Sequence, residues 1–412
     1  MLDNVKRFDM KRVPTRQHLR PLIKMLCTPA FKKHKGSIKR INMDNVEAPF
    51  LLLGNHNAYM DIEILNVVMN KYRLNYIIAI DGFIGREWIV RYIGGICKRK
   101  FTNDPYLIKQ LQTVIKRGDI PMFYPEARYS LCGTTAIIPD TLGRLAKFYN
   151  IPVVVLLCHG HHINSPFWNS SVDRKVQGIE AELTCIVTKE EVKTLSADEI
   201  NKRIREALQY DDFAWQKEKG IEVTYPKRAE GLHKVLYQCP NCHTEYEMTS
   251  FGTTLKCNHC QKEWEMTTLG ELKAKDGETE FSHIPDWYEW ERDNVRKEIE
   301  NGTYRFESEV HIDALPNAKK FIHMGKGLLI HDMEGFTLKG NDKGTPFEVK
   351  IPSLKSYGVH IEYEYLFKYG DCVDLNTLND TFYVYPECEK FSVTKISLAT
   401  EEIYKYLLKK GK

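Results

Sequence analysis

Along the first two hundred residues, short apolar runs alternate with stretches whose apolar positions recur every three or four residues. A short run of β-branched or aliphatic residues suits a buried strand. The longer spacing gathers apolar side chains on one face of a helix. The pattern predicts strands at residues 49–53, 74–80, 120–124, 151–157 and 184–187. It predicts helices at 60–71, 105–117 and 141–149, with a shorter helical stretch at 85–92. Ser196, with Glu199 three residues on, marks another helix start as a capping box. Alternating strands and helices predict an α/β domain over residues 41–215, a mixed sheet flanked by helices.

The pattern then changes twice. Residues 216–236 are charged and aromatic, as in a linker, and 237–268 hold two close pairs of cysteines. Residues 285–412 alternate apolar and polar positions, for example at 320–331 and 360–367. Turn residues such as Lys339-Gly340-Asn341-Asp342-Lys343-Gly344 separate them, and a helix near 399–410 ends the chain. This predicts a small separate β domain with one closing helix, loosely similar in pattern to the pleckstrin-homology or GRAM type. Such folds host many functions, so no ligand follows from that likeness. Trp287, Tyr288 and Trp290, just inside its start, read as linker packing.

A length of 412 residues suits two or three domains, and 42% hydrophobic with 28% charged residues is ordinary for a globular chain. Charge matters only where it collects. Residues 1–40 hold twelve Lys or Arg and two acids, so this segment carries +10 while the whole chain carries +4. A basic lead-in of this kind expects an anionic partner, a lipid surface or a nucleic acid. No stretch approaches the roughly 18 apolar residues of a spanning helix, and no secretory signal is present. A protein acting on lipid would then be cytoplasmic and peripheral. Eleven cysteines without an export signal favour metal binding over disulfides.

Three segments hold candidate chemistry. Gly54-Asn55-His56-Asn57-Ala58-Tyr59-Met60-Asp61 follows a strand. His56 is suited to take a proton near neutral pH, and a carboxylate on its other ring nitrogen would fix the tautomer. Residues five apart on one helix point about 140° away from each other. His56 and Asp61 therefore meet only if His56 lies on the turn and Asp61 in the first helical turn. Gly94-Gly95-Ile96-Cys97-Lys98-Arg99-Lys100 sets three cations after a glycine pair. Phe123-Tyr124-Pro125-Glu126-Ala127-Arg128-Tyr129-Ser130 places Glu126 and Arg128 at the end of a strand, where α/β sheets collect ligand groups. Taken singly, the last two read as well as a solvated turn and a surface ion pair.

In this order, followed by Ile151-Pro152-Val153-Val154-Val155, the three segments resemble the glycerol-3-phosphate and lysophosphatidic acid acyltransferase family over about residues 15–215. Arg20-Pro21-Leu22-Ile23-Lys24-Met25-Leu26 is similar to its interfacial lead-in. The resemblance implies direct acyl transfer from acyl-CoA or acyl carrier protein to a lysophospholipid hydroxyl. His56 would be the base and Asp61 its partner. Glu126, Arg128 and cations among Lys98, Arg99 and Lys100 would hold the acceptor phosphate. Two departures bear on the acceptor: Ala127 stands at the family's glycine, and Tyr124 is inserted between Phe123 and Pro125.

Cys239-Pro240-Asn241-Cys242 and Cys257-Asn258-His259-Cys260 are two Cys-x-x-Cys knuckles with the spacing of a structural zinc ribbon. Nucleic acid is not the expected partner. Lys256 and Lys262 are offset there by Glu245, Glu247, Glu263 and Glu265, whereas a nucleic-acid footprint is basic. The expectation is a peripheral acyltransferase on anionic membrane with a structural zinc. The alternative is a non-catalytic scaffold that binds a protein partner through the ribbon and tail.

Overall fold

The computed structural model describes residues 2–411. The chain builds three sheets. The first holds β1 (Ser37–Ile41), β2 (Leu51–Gly54), β3 (Leu74–Ile78), β4 (Ile96–Cys97), β5 (Ile120–Phe123), β6 (Val153–His159) and β7 (Glu180–Val187) in the order β1-β7-β6-β2-β5-β3-β4. Every neighbouring pair is parallel except β6–β7, so this is a mixed sheet. Central β2 is fully buried through Leu51, Leu52 and Leu53, as an apolar run covered on both faces requires.

Its helices are α1 (Arg20–Lys33), α2 (Met60–Val68), α3 (Glu87–Tyr92), α4 (Pro105–Lys116), α5 (Leu142–Tyr149), α6 (His161–Asn164), α7 (Lys189–Thr194), α8 (Ala197–Ala207) and α9 (Asp212–Lys219). Local signals set several ends. Asp104 caps α4 by accepting from the amides of Tyr106 and Leu107, with Pro105 in the first turn. The expected Ser196–Glu199 box opens α8, and Thr188 with Glu191 makes a second at α7. Four helices escaped the sequence pattern: α1 inside the basic lead-in, the short α6 and α7, and α9 at the edge of the expected linker.

The second sheet is an antiparallel ribbon of β8 (Met248–Phe251), β9 (Thr254–Cys257), β10 (Glu263–Met266) and β11 (Leu272–Ala274). Next come α10 (Ile284–Glu300) and a seven-stranded antiparallel sheet. Its strands are β12 (Phe306–Leu315), β13 (Ile322–Asp332), β14 (Gly335–Asp342), β15 (Thr345–Pro352), β16 (His360–Glu362), β17 (Cys372–Asn376) and β18 (Thr381–Pro386). The closing helix α11 (Val393–Lys409) begins six residues before the expected start. Trp287 and Tyr288 lie buried on α10, a packed helix where the sequence suggested only linker.

One buried cluster links the helices and loops beside the first sheet to the other two sheets. It joins Ile163, Trp168 and Phe213 to Leu255 and Trp264 of the ribbon, and these to Trp287, Leu329, Val384 and Ile396 of the last sheet. The tail is therefore packed onto the first sheet and does not stand apart from it. No helix among the described residues is long and apolar enough to cross a membrane.

Candidate active site

β2 ends at Gly54, and the chain turns there to bring His56 onto the loop before α2, with Asp61 in the helix's first turn. His56 Nδ1 donates to Asp61 Oδ2 at 2.7 Å. The same oxygen accepts the Asn57 amide at 2.9 Å, and an acidic residue in a first helical turn also meets the positive end of the helix dipole.

A second histidine completes the arrangement. His161 opens α6 just beyond the end of β6, and its Nδ1 donates to Asp61 Oδ1 at 2.6 Å. Its Nε2 accepts from the Asn57 side-chain amide at 2.7 Å and lies 3.3 Å from that of Asn55. Asn55 is locked to the backbone of Cys158 in both directions, at 2.8 and 2.9 Å. Amide donors at Nε2 hold the ring proton on Nδ1, where Asp61 receives it. The sequence reading missed His161 because a hundred residues separate it from Asp61. Its one sequence signal was a histidine after the glycine that ends a buried strand.

Burial opposes charge on these groups, and the balance differs between them. For Asp61 the two imidazoles outweigh burial and hold its pKa well below the carboxylate range. For His56 burial prevails and the pKa falls below its ordinary value, although Asp61 pulls it upward. The result is an ionised carboxylate beside a neutral imidazole. His56 Nε2 has no protein hydrogen-bond partner among the described residues, and the ring lines a cavity of about 1750 Å³. Tyr124 stacks on the ring at 4.0 Å with planes 13° apart, and Tyr129 lies 4.2 Å from it. The inserted Tyr124 thus serves as a wall for His56.

The other candidates divide. Glu126 is buried beneath the site and does not line the cavity. It accepts the His56 amide at 3.3 Å, the Ala136 amide at 2.9 Å and the Tyr210 hydroxyl at 3.4 Å. Burial raises its pKa to about 7 against the pull of those two amides. Glu126 is therefore tied to the backbone of the His56 loop. Arg128 is turned away from the cavity. Its guanidinium pairs with Glu401 of α11, which Arg292 of α10 also holds at 2.6 Å. Arg99 is 1% exposed and donates to Leu315, Pro316 and Asn379 carbonyls and to Thr381 Oγ1, at 2.6 to 3.1 Å. Neither arginine expected to hold phosphate lines the cavity, and each is engaged in holding the C-terminal region against the first domain.

Lys98 and Lys100 do line the cavity. Lys98 Nζ donates to the Thr102 carbonyl at 2.6 Å. Ala127 also faces the cavity with φ of 55°, in the left-handed region that glycine enters freely and that costs an alanine about 1–2 kcal/mol. Much of the remaining wall is apolar, with Ile62, Ile77, Ile108, Leu111 and Phe148 on one side, while Asp81, Arg86, Arg144, Lys355, His360 and Glu362 also line it. Tyr357, Tyr365, Tyr404 and Leu408 close it from the last sheet and α11.

Comparison with protein-family models and with curated proteins finds no match. Among solved structures the chain is similar to the 1-acyl-sn-glycerophosphate (LPA) acyltransferase PlsC from Thermotoga maritima. The TM-score is 0.36 and the identity 18%, over 46% of this chain and 76% of that one. Likeness at that level decides nothing about activity, which rests on the residues themselves.

In the ribbon, Cys239, Cys242, Cys257 and Cys260 bring their sulfurs within 4.8 Å of one another. Cys239 to Cys260 and Cys242 to Cys257 are both 3.7 Å. Four thiolates about 2.3 Å from a tetrahedral ion lie about 3.8 Å apart, so the set is compatible with zinc.

Proposed function

We propose that this chain is an O-acyltransferase that moves a fatty acyl group from a thioester carrier, acyl-CoA or acyl carrier protein, to a lysophospholipid hydroxyl. The observation that carries the reading is the neutral His56, oriented by an ionised Asp61, on the wall of a large apolar cavity. His56 Nε2 takes the hydroxyl proton, and the alkoxide attacks the thioester carbon. The carbon–sulfur bond breaks, and the leaving thiolate takes the proton back from the imidazolium. Asp61 keeps the proton on Nδ1 and steadies the positive ring between the two transfers. The apolar walls suit an acyl chain, whose burial is worth about 0.8 kcal/mol per methylene. Lys98 and Lys100, two of the cations that line the cavity, would meet an acceptor headgroup.

Exposed apolar side chains support work at a membrane surface. Leu22, Met25 and Leu26 stand out on α1, and Trp88, Ile89 and Tyr92 on α3. His18 lies against Tyr92 at 5.9 Å, which brings the start of α1 next to α3. Ile62 and Phe148, also exposed, reach the cavity. The basic lead-in is less free than its sequence suggests, since Arg7, Arg16 and Lys39 pair with Asp380, Asp119 and Glu182. In the ribbon, zinc on Cys239, Cys242, Cys257 and Cys260 would be structural, with all four positions filled by protein.

The test is acyl transfer by the purified chain, given acyl-CoA or acyl carrier protein and a panel of lysolipids, beside His56→Ala. Product that disappears in the variant supports the enzyme. No product with any donor and acceptor would sink this reading and favour the scaffold.

A further inference from the structure

Apart from His56 and Asp61, the cavity wall carries a second cluster, supplied by the last sheet. His360 and Glu362 are two residues apart on β16 and so point to the same face. Asp374 on β17 is paired directly opposite His360, which places it on that face as well. His360 Nε2 lies 2.9 Å from Glu362 Oε1 and 3.9 Å from Asp374 Oδ2, and all three donor atoms fall within 4.8 Å of one another. Ligands held about 2.0–2.2 Å from one divalent ion are spaced on this scale.

Burial supplies an independent observation. Asp374 is 3% exposed, yet no nitrogen or oxygen donor lies within hydrogen-bond distance of its carboxylate among the described residues. Its contacts are the Cys372 thiol and the His360 imidazole, each at 3.9 Å. No Lys or Arg pairs with Asp374 or Glu362 among the described residues. A buried carboxylate so poorly partnered is costly to ionise: burial pushes the pKa of Asp374 and of Glu362 upward, and a bound cation would offset that cost. Lys100 lines the same cavity and its charge favours ionisation of both acids, but it makes no ion pair with either among the described residues.

We propose that His360, Glu362 and Asp374 bind one divalent first-row cation in the wall of the cavity. One imidazole with two carboxylates suits Mn²⁺, Fe²⁺ or Zn²⁺, and differs from the four thiolates of the ribbon. His360 and Glu362 reach the cavity that His56 also lines, while Asp374 lies behind them. The ion would add to that cavity the positive charge that Arg99 and Arg128 do not.

Mn²⁺ is the probe, because four thiolates are a poor site for it and the ribbon stays out of the measurement. The full chain, given one equivalent of zinc for the four thiolates and no more, is titrated with Mn²⁺ and free ion is read by electron paramagnetic resonance. The expected result is one Mn²⁺ per chain. It should be lost in Asp374→Asn and in Glu362→Gln and kept in His56→Ala, with circular dichroism unchanged throughout. Glu362 is partly exposed, so its variant tests the site even where Asp374→Asn misfolds. A wild-type chain that binds no Mn²⁺ overturns the proposal, as do carboxamide variants that bind it equally. Loss of Mn²⁺ in His56→Ala would also overturn it, by moving the ion to the other wall. The readout involves no acyl transfer, so its failure and that of the enzyme reading are separate results.

Discussion

At the scale of single residues, the dyad depends on an uneven split of charge. Asp61 faces two imidazoles and two backbone amides, so its charge is held in place, while His56 stays neutral because burial outweighs the pull of Asp61. The sign follows for pH. A base with a lowered pKa remains unprotonated at acidities where an ordinary histidine would be charged. Activity measured as kcat/KM should therefore hold from neutral pH down to about 6.5 and fall only below it. Asp61→Asn should lower the plateau about 10²–10⁴-fold, because an amide no longer selects the Nδ1–H tautomer. A profile whose acid limb begins above pH 7 would contradict a neutral buried His56. Ala127 shows a different use of one residue. Its left-handed backbone is the conformation for which a glycine is ordinarily chosen, so the turn survives the substitution at a conformational cost.

At the scale of elements, the strand-end motif is turned inward. Arg128 leaves the cavity for α11, where Glu401 also meets Arg292, and neighbouring Glu402 meets Arg292 and Arg296. Arg128 and Glu401 are 4% and 1% exposed, so breaking their pair leaves a charge with nowhere to go. Glu401→Gln should cost about 3–5 kcal/mol in urea unfolding, because it leaves the buried Arg128 without its carboxylate while Arg292 keeps Glu402 and Glu289. Arg128→Met should cost less, since Glu401 keeps Arg292. A phosphate-binding Arg128 would behave otherwise, raising KM while the unfolding midpoint stayed put. The motif was legible in the sequence, but the direction of its arginine was not. That direction depends on a partner 273 positions away, which no local pattern encodes.

At the scale of the molecule, the ribbon is a keystone between two larger sheets. Trp264 of β10 packs edge-on against Trp287 of α10 at 5.0 Å, and Gln238, next to the first cysteine, accepts the Trp287 indole N–H at 2.9 Å. Cys239 and Cys257 belong to the continuous buried cluster. With zinc on the four thiolates, its removal should not unfold a detached finger alone. A strong chelator is expected to lower the melting temperature of the whole chain, with near- and far-ultraviolet circular dichroism moving together. Two separated transitions would show that the ribbon melts by itself.

Local chemistry was enough for much of this protein. Apolar period placed five of the seven strands of the first sheet and four of its helices, capping residues located α8, and cysteine spacing picked out the ribbon. The glycine break before His56 made its meeting with Asp61 readable across five residues. The tertiary structure alone decided which side chains face the cavity. It brought His161 to Asp61 and turned Arg99 and Arg128 into ties for the last sheet. It also set His360, Glu362 and Asp374 in the wall shared with His56. The reason is physical: a side chain's role here follows from what is packed against it, and those partners come from distant parts of the chain that only folding brings together.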